Sequence, residues 1–241
     1  MTEHQEVNTL DMLIYARSMA TLMGAGVSLM RQLHILAEIS EEPLASATTD
    51  IAKQVEAGRT LSRAMEQWPQ VFTRVYRQMV RSGEVGGVLD EALAVAADMT
   101  ESDWGMGPRY KHVHTLLIPP DDDRSFEEST TDERLRILSL YCRMLGMMLA
   151  AGVPFKVEVL WQTAADIVPP GPERDALAAI PEQMEEGGSL GERFDLPFLP
   201  RFIPRLAQIG RDTGTLSQMM EKAAQLLEYQ RRYHLLKQAR Q

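Results

Sequence analysis

Cysteine is nearly absent: one residue, Cys142, in a chain of 241. That excludes an internal disulfide and any cysteine-rich metal site. Cys142 shares a helical stripe with Leu138, Leu145 and Leu149, so the expectation is a small core residue and not a nucleophile. Long apolar runs are missing as well. The longest charge-free stretches, Ser18 to Met30 and Met144 to Phe155, fall short of the about 20 residues that a bilayer span needs, and both are broken by glycine. No direct membrane span is expected. Alternation of β-branched and polar residues, the mark of a strand, is absent over any useful length. Positive charge is in deficit, with 25 Lys and Arg against 34 Asp and Glu for a net charge of −9, so no nucleic-acid partner is expected. The opening Met1-Thr-Glu-His-Gln-Glu6 is polar and acidic, unlike a secretory signal, and points to a cytoplasmic protein.

What is present is helical periodicity, and it occurs twice. Met12, Tyr15, Ala16, Met19, Leu22 and Met23 line one face; Gly24 and Gly26 break the helix; Leu29, Leu33 and Leu36 begin another stripe, with Ser28 placed to cap it. The unit is an αα-hairpin. Tyr141 to Val153 repeats Tyr15 to Val27, setting Gly152 on Gly26 and Arg143 on Arg17. Later landmarks recur in the same order. Gly58-Arg-Thr-Leu61 meets Gly187-Gly-Ser-Leu190, and Gly83-Glu-Val-Gly-Gly-Val-Leu89 meets Gly210-Arg-Asp-Thr-Gly-Thr-Leu216. The shifts stay between 126 and 129 residues. Fifteen Met against six Phe and six Tyr suggest helical cores filled by flexible side chains.

The expected fold is all-α: two tandem six-helix antiparallel bundles related by internal duplication. The first helical domain spans residues 8–101, a Pro/Gly/Asp linker 102–131, and the second domain 132–238. In the first, helices are expected over Asn8 to Met23, Ser28 to Ile39, Pro43 to Ala57, Thr60 to Met65, Phe72 to Ser82 and Val88 to Thr100, with Gly83 to Gly87 as a turn. In the second they run over Asp132 to Ala151, Pro154 to Ile167, Glu173 to Glu186, Ser189 to Phe194, Arg201 to Ile209 and Thr215 to Lys237. Thr130-Thr-Asp-Glu133 and Ser189-Leu-Gly-Glu192 read as capping boxes.

These residues together resemble the type II secretion F domain, the cytoplasmic module of the inner-membrane platform proteins (GspF and PilC) of type II secretion and type IV pilus machines. The signature positions are Gly26, Gly58, Leu61, Gly83, Glu84, Gly87 and Leu89 in the first repeat, and Gly152, Gly187, Leu190, Gly210, Gly214 and Leu216 in the second. Arg211 departs from the glutamate that the family prefers. The resemblance implies a six-helix bundle per domain, self-association through F domains, and a scaffolding role with contacts to the assembly ATPase or other platform proteins. It implies no chemistry, so no catalytic residue, cofactor or metal is expected. Family members carry membrane helices between and after the two domains; here the intervening segment is polar and proline-containing, and the Met1 start and intact linker favour a relative without anchors over a trimmed one. The placement expected is cytoplasmic, peripheral at the inner membrane.

His112 and His114, with Asp121 to Asp123, could offer metal ligands, and they support the alternative of a metal- or small-molecule-dependent helical-bundle enzyme or sensor. A regulator that sequesters the ATPase is a further alternative. Gly24-Ala-Gly26-Val-Ser-Leu29 lacks the preceding strand and the third glycine of a dinucleotide loop. Glu84 is expected to sit at a helix N-terminus as a cap. Trp68 and Trp161 are expected in cores, and Trp104, on the linker, is expected to be exposed or docked on a domain. Arg59, Arg63, Arg74, Arg77 and Arg81 form a basic patch on an acidic protein, and Arg74, Arg77 and Arg81 are the candidate partner-binding residues.

Overall fold

The computed structural model describes residues 7, 9–104, 125–185 and 187–238. Among these residues it contains thirteen helices and no strand, divided into two units, Met1–Asp122 and Asp123–Gln241. His112, His114 and Asp121 to Asp123 lie outside the described residues, as does the side chain of Trp104.

The first unit holds α1 (Thr9–Gly24), α2 (Leu29–Ile39), α3 (Leu44–Glu56), α4 (Leu61–Met65), α5 (Arg74–Gly86) and α6 (Leu89–Trp104). Each helix packs on its neighbour in sequence, and α1 closes the bundle against α6. The α1 stripe buries Met12, Tyr15 and Met19 completely, as its spacing predicts. Tyr15, Phe72 and Tyr76 form an aromatic column with centroids 5.6 and 5.9 Å apart. Thr48 donates a 3.1 Å hydrogen bond to the buried Tyr15 hydroxyl. Burial pushes that phenol up to about 12, the Thr48 bond partly offsetting the rise. Trp68 is half-buried and donates its indole N–H to Asp50 at 3.0 Å.

The second unit holds α7 (Thr131–Ala150), α8 (Glu158–Ala165), α9 (Pro172–Ala178), α10 (Ile180–Glu185), α11 (Leu190–Arg193), α12 (Phe202–Thr213) and α13 (Leu216–Gln238). Helix α7 packs along α13, with Gly146 at the crossing; a Cβ there would stand 2.9 Å from the Ser217 carbonyl oxygen. Asp132 and Arg231, both buried, join the two helices at 2.9 Å. Trp161 fills the core between Phe155 and Phe194, and Cys142 is buried on the α7 stripe with Leu138 and Leu145.

Several helix limits differ from the sequence expectation, each for a physical reason. The stretch expected as one helix from Glu173 to Glu186 is divided at Ala179, because Pro181 has no N–H to donate to Leu177. Pro154 forms a turn, closed by the Val157 N–H to the Pro154 carbonyl at 3.0 Å, and α8 begins only at Glu158. Ser28 stands at the α2 N-cap but makes no side-chain capping bond. The boxes at Thr130–Glu133 and Ser189–Glu192 are both present with reciprocal hydrogen bonds.

Candidate functional site

Gly83-Glu-Val-Gly-Gly87 is not a turn. Helix α5 runs through Gly83 to Gly86 and stops at Gly87, which takes the left-handed conformation at φ 69° and ψ 23°. Gly83 is therefore needed for a different reason from Gly87. A Cβ on Gly83 would lie 2.5 Å from the Ala92 Cβ and 2.9 Å from the Leu89 Cα, so the missing side chain lets α5 touch α6. The second unit reproduces this geometry. Gly214 caps α12 at φ 69°, and a Cβ on Gly210 would lie 2.7 Å from the Leu216 Cα. Gly26, Gly58, Gly152 and Gly187 also have positive φ, and Leu61 and Leu190 are buried beneath the short helices they begin.

Glu84 is likewise not at the N-terminus of α6. It lies in the last turn of α5, and its carboxylate reaches the N-terminus of α4. Glu84 Oε1 accepts the Leu61 N–H at 2.5 Å, and Oε2 accepts the Ser62 N–H at 3.3 Å and the Ser62 hydroxyl at 2.5 Å. A five-residue helix leaves most of its amides without partners. Thr60 supplies one acceptor to the Arg63 N–H, and Glu84 supplies the charged one from another helix. The sequence expectation of a capping carboxylate thus holds, but on a helix some 22 residues upstream.

The second unit solves the same problem locally. Ser189 accepts from the Glu192 N–H at 3.2 Å, and Glu192 accepts the Ser189 N–H at 2.8 Å. The Ser189 backbone N–H, first, and the Ser189 hydroxyl hold the Glu192 carboxyl below the usual glutamate range. Gln208 of α12 accepts the Gly191 N–H at 2.9 Å, a contribution not foreseen from the sequence. Arg211, which stands where the repeat alignment places Glu84, has no amides to serve. Its guanidinium lies 4.6 Å from the Phe155 ring centroid.

Phe155 and Arg211 form part of the wall of an open groove of about 720 Å³ in the second unit. Lys156, Glu158, Arg174, Asp175 and Glu182 complete its charged rim. Arg174 is paired with Asp166. The groove exists because Pro154 delays α8 and Pro181 splits α9 from α10, leaving less helix than α2 and α3 bring to the first unit.

The candidate partner residues Arg74, Arg77 and Arg81 share one face of α5 at spacings of three and four. They are half-buried, not exposed; Arg77 donates to the Phe72 carbonyl at 3.0 Å. Arg59 and Arg63 are exposed, and Arg59 donates to Gln54. Burial pushes the Cys142 thiol up to about 12, with the Glu221 charge adding to the rise, which leaves it unreactive at neutral pH. Among the described residues no group of three His, Cys, Asp or Glu side chains could hold a metal ion.

The profile of the family described as "Type II secretion system (T2SS), protein F" matches residues 15–106 and 141–240, most of the chain. The chain belongs to this family. The two matched segments fall in the two helical units. Individual relatives agree. The type IV pilus assembly protein PilC of Myxococcus xanthus is 34% identical over 109 residues, covering 45% of this chain and 26% of its own length. The type II secretion system protein F of Vibrio cholerae is 35% identical over 114 residues, covering 47% of this chain and 28% of its own. The PilC of Thermus thermophilus is 36% identical over 113 residues, covering 45% and 27%. Each match thus spans under a third of the relative's own length. Among the described residues no helix of this F-family chain is long and apolar enough to cross a membrane.

Proposed function

We propose that this F-family protein is a non-enzymatic scaffold or adaptor that works by contacts with a secretion or pilus assembly ATPase or with other platform proteins. The observation that supports the reading is the family match over both segments, each falling in a closed helical unit. The relatives are named for type II secretion and for type IV pilus assembly, which supports a machine of that class. We place the protein at the cytoplasmic face of the inner membrane, held peripherally. The α5 face with Arg74, Arg77 and Arg81 is the proposed contact for an acidic partner, since it gathers cations on a chain of net charge −9.

Tagged protein captured from a lysate of its own source, followed by mass spectrometry, tests the reading. Recovery of an assembly ATPase or platform protein, at least tenfold reduced by Arg77→Glu/Arg81→Glu in a variant with unchanged helical circular dichroism, is the expected result. Recovery of neither from the wild-type protein refutes the adaptor role. Recovery that ignores the double variant refutes the α5 contact.

A further inference from the structure

Helix α13 carries two apolar stripes, and among the described residues only one of them is buried. Met220, Ala223, Leu227 and Leu235 are buried on the side that meets α7. Leu226, Tyr229, Tyr233 and Leu236 form the second stripe, exposed by 42, 66, 71 and 58%. Successive residues advance about 100° around a helix, so spacings of three, four and three keep these four in one line about 15 Å long. The same rotation puts that line on the side of α13 opposite the buried stripe.

The charges around it are sorted. Lys222 continues the line one turn earlier, and Arg232 and Lys237 flank it on its two sides; all three are exposed. The two acidic residues of α13 lie between the Arg232 edge of the line and the buried stripe, Glu221 about 20° and Glu228 about 40° around the helix from Arg232. There Glu221 pairs with Arg143 and Glu228 with Arg231. A protein with nine excess negative charges thus presents one helix face that is apolar along its middle and cationic at its edges.

We propose that this face of α13 docks on the surface of an anionic bilayer. Tyrosine suits that boundary, because its ring enters the acyl region while its hydroxyl stays among headgroups. The cations beside the stripe supply attraction to anionic lipid, and an apolar face edged by cations suits a helix lying in the interface plane. A second copy in parallel fits less well, because pairing on this stripe sets Arg232 against Lys237. The proposal deepens the peripheral placement given above.

The test is cosedimentation of the purified full chain with vesicles of equal parts phosphatidylglycerol and phosphatidylethanolamine, and with vesicles of phosphatidylcholine alone. Only protein and lipid are present, so its failure is distinct from failure to capture an ATPase. The expected result is binding to the anionic vesicles, weakened about tenfold or more by Tyr229→Ser/Tyr233→Ser. Arg232→Gln/Lys237→Gln should weaken it about 25-fold, since each cation near an anionic surface contributes about a factor of five. All four positions are exposed, and circular dichroism checks that the helices persist. No binding by the wild-type chain at low salt overturns the proposal, as does equal binding to both vesicle types or binding that survives both double variants. A dimer in light scattering that the tyrosine variant abolishes, without vesicle binding, overturns it in favour of a second copy.

Discussion

In the first unit the short helix α4 is capped from a distance by Glu84 of α5; in the second, α11 caps itself through Ser189 and Glu192. The two arrangements supply the same thing, a carboxylate against unpaired amides at a helix start. The third residue of α4 is Arg63, so no local box is available there, whereas the third residue of α11 is Glu192. Once the second unit holds its own carboxylate, the position paired with Glu84 is released, and Arg211 occupies it and turns to Phe155. What has been kept in both units is the part that has no local substitute: Gly83 and Gly210, where the next helix comes too close for a side chain.

The sharpest way to break this comparison is to fill that contact. Gly83→Ala and Gly210→Ala should each destabilise by about 3 kcal/mol in urea unfolding, because Cβ approaches of 2.5 and 2.7 Å cannot be relieved by a flexible side chain. A gain of about 1 kcal/mol in both would reduce them to ordinary helical glycines. Glu84→Ala should cost about 2 kcal/mol, as a charged acceptor for buried amides is removed. Adding Arg63→Glu to that variant completes a local box on Thr60 and should return about 1 kcal/mol, whereas Arg63→Glu alone should not stabilise.

The buried tyrosines separate the units next. Tyr15 has Thr48, but the hydroxyl of Tyr141, its partner in the repeat, finds no hydrogen bond among the described residues. Tyr15→Phe should cost about 1 kcal/mol and Tyr141→Phe should be neutral or stabilising, a difference that thermal melting resolves. Arg211→Ala should lose about 0.5 to 1 kcal/mol with its ring contact, and Arg211→Glu should not recover it, because α11 is already capped.

The smallest effect is one of pH. The Glu192 carboxyl is held below its ordinary value, so its stabilisation is present above the usual glutamate range and is lost as pH falls through the lowered one. Glu192→Gln should therefore be less stable than wild type at neutral pH, with the gap closing under acid. A gap that stays constant from neutral pH into acid would show that the capping box contributes through geometry alone.

Much of this was legible in order and kind. The helical periodicity, the two glycine-broken hairpins and both capping boxes follow from local spacing, and the structure holds them where the residues put them. The reach of Glu84 was not legible, since a glutamate after a glycine looks the same whether it caps the next helix or an earlier one. Nor was the helical state of Gly83: glycine lowers helix propensity, and only the approach of Ala92 explains why α5 continues through it. The cations of α5 share a face by spacing alone, but their half-burial depends on what packs around them.

The amino-acid sequence by itself determined the helical class, the recurring order of glycine landmarks and the family, because periodicity and motif order are properties of neighbours along the chain. Tertiary structure alone decided which helix Glu84 serves, where Arg211 goes, and which of the two stripes of α13 is left to solvent. Those depend on distances between residues far apart in sequence, which a linear pattern does not encode.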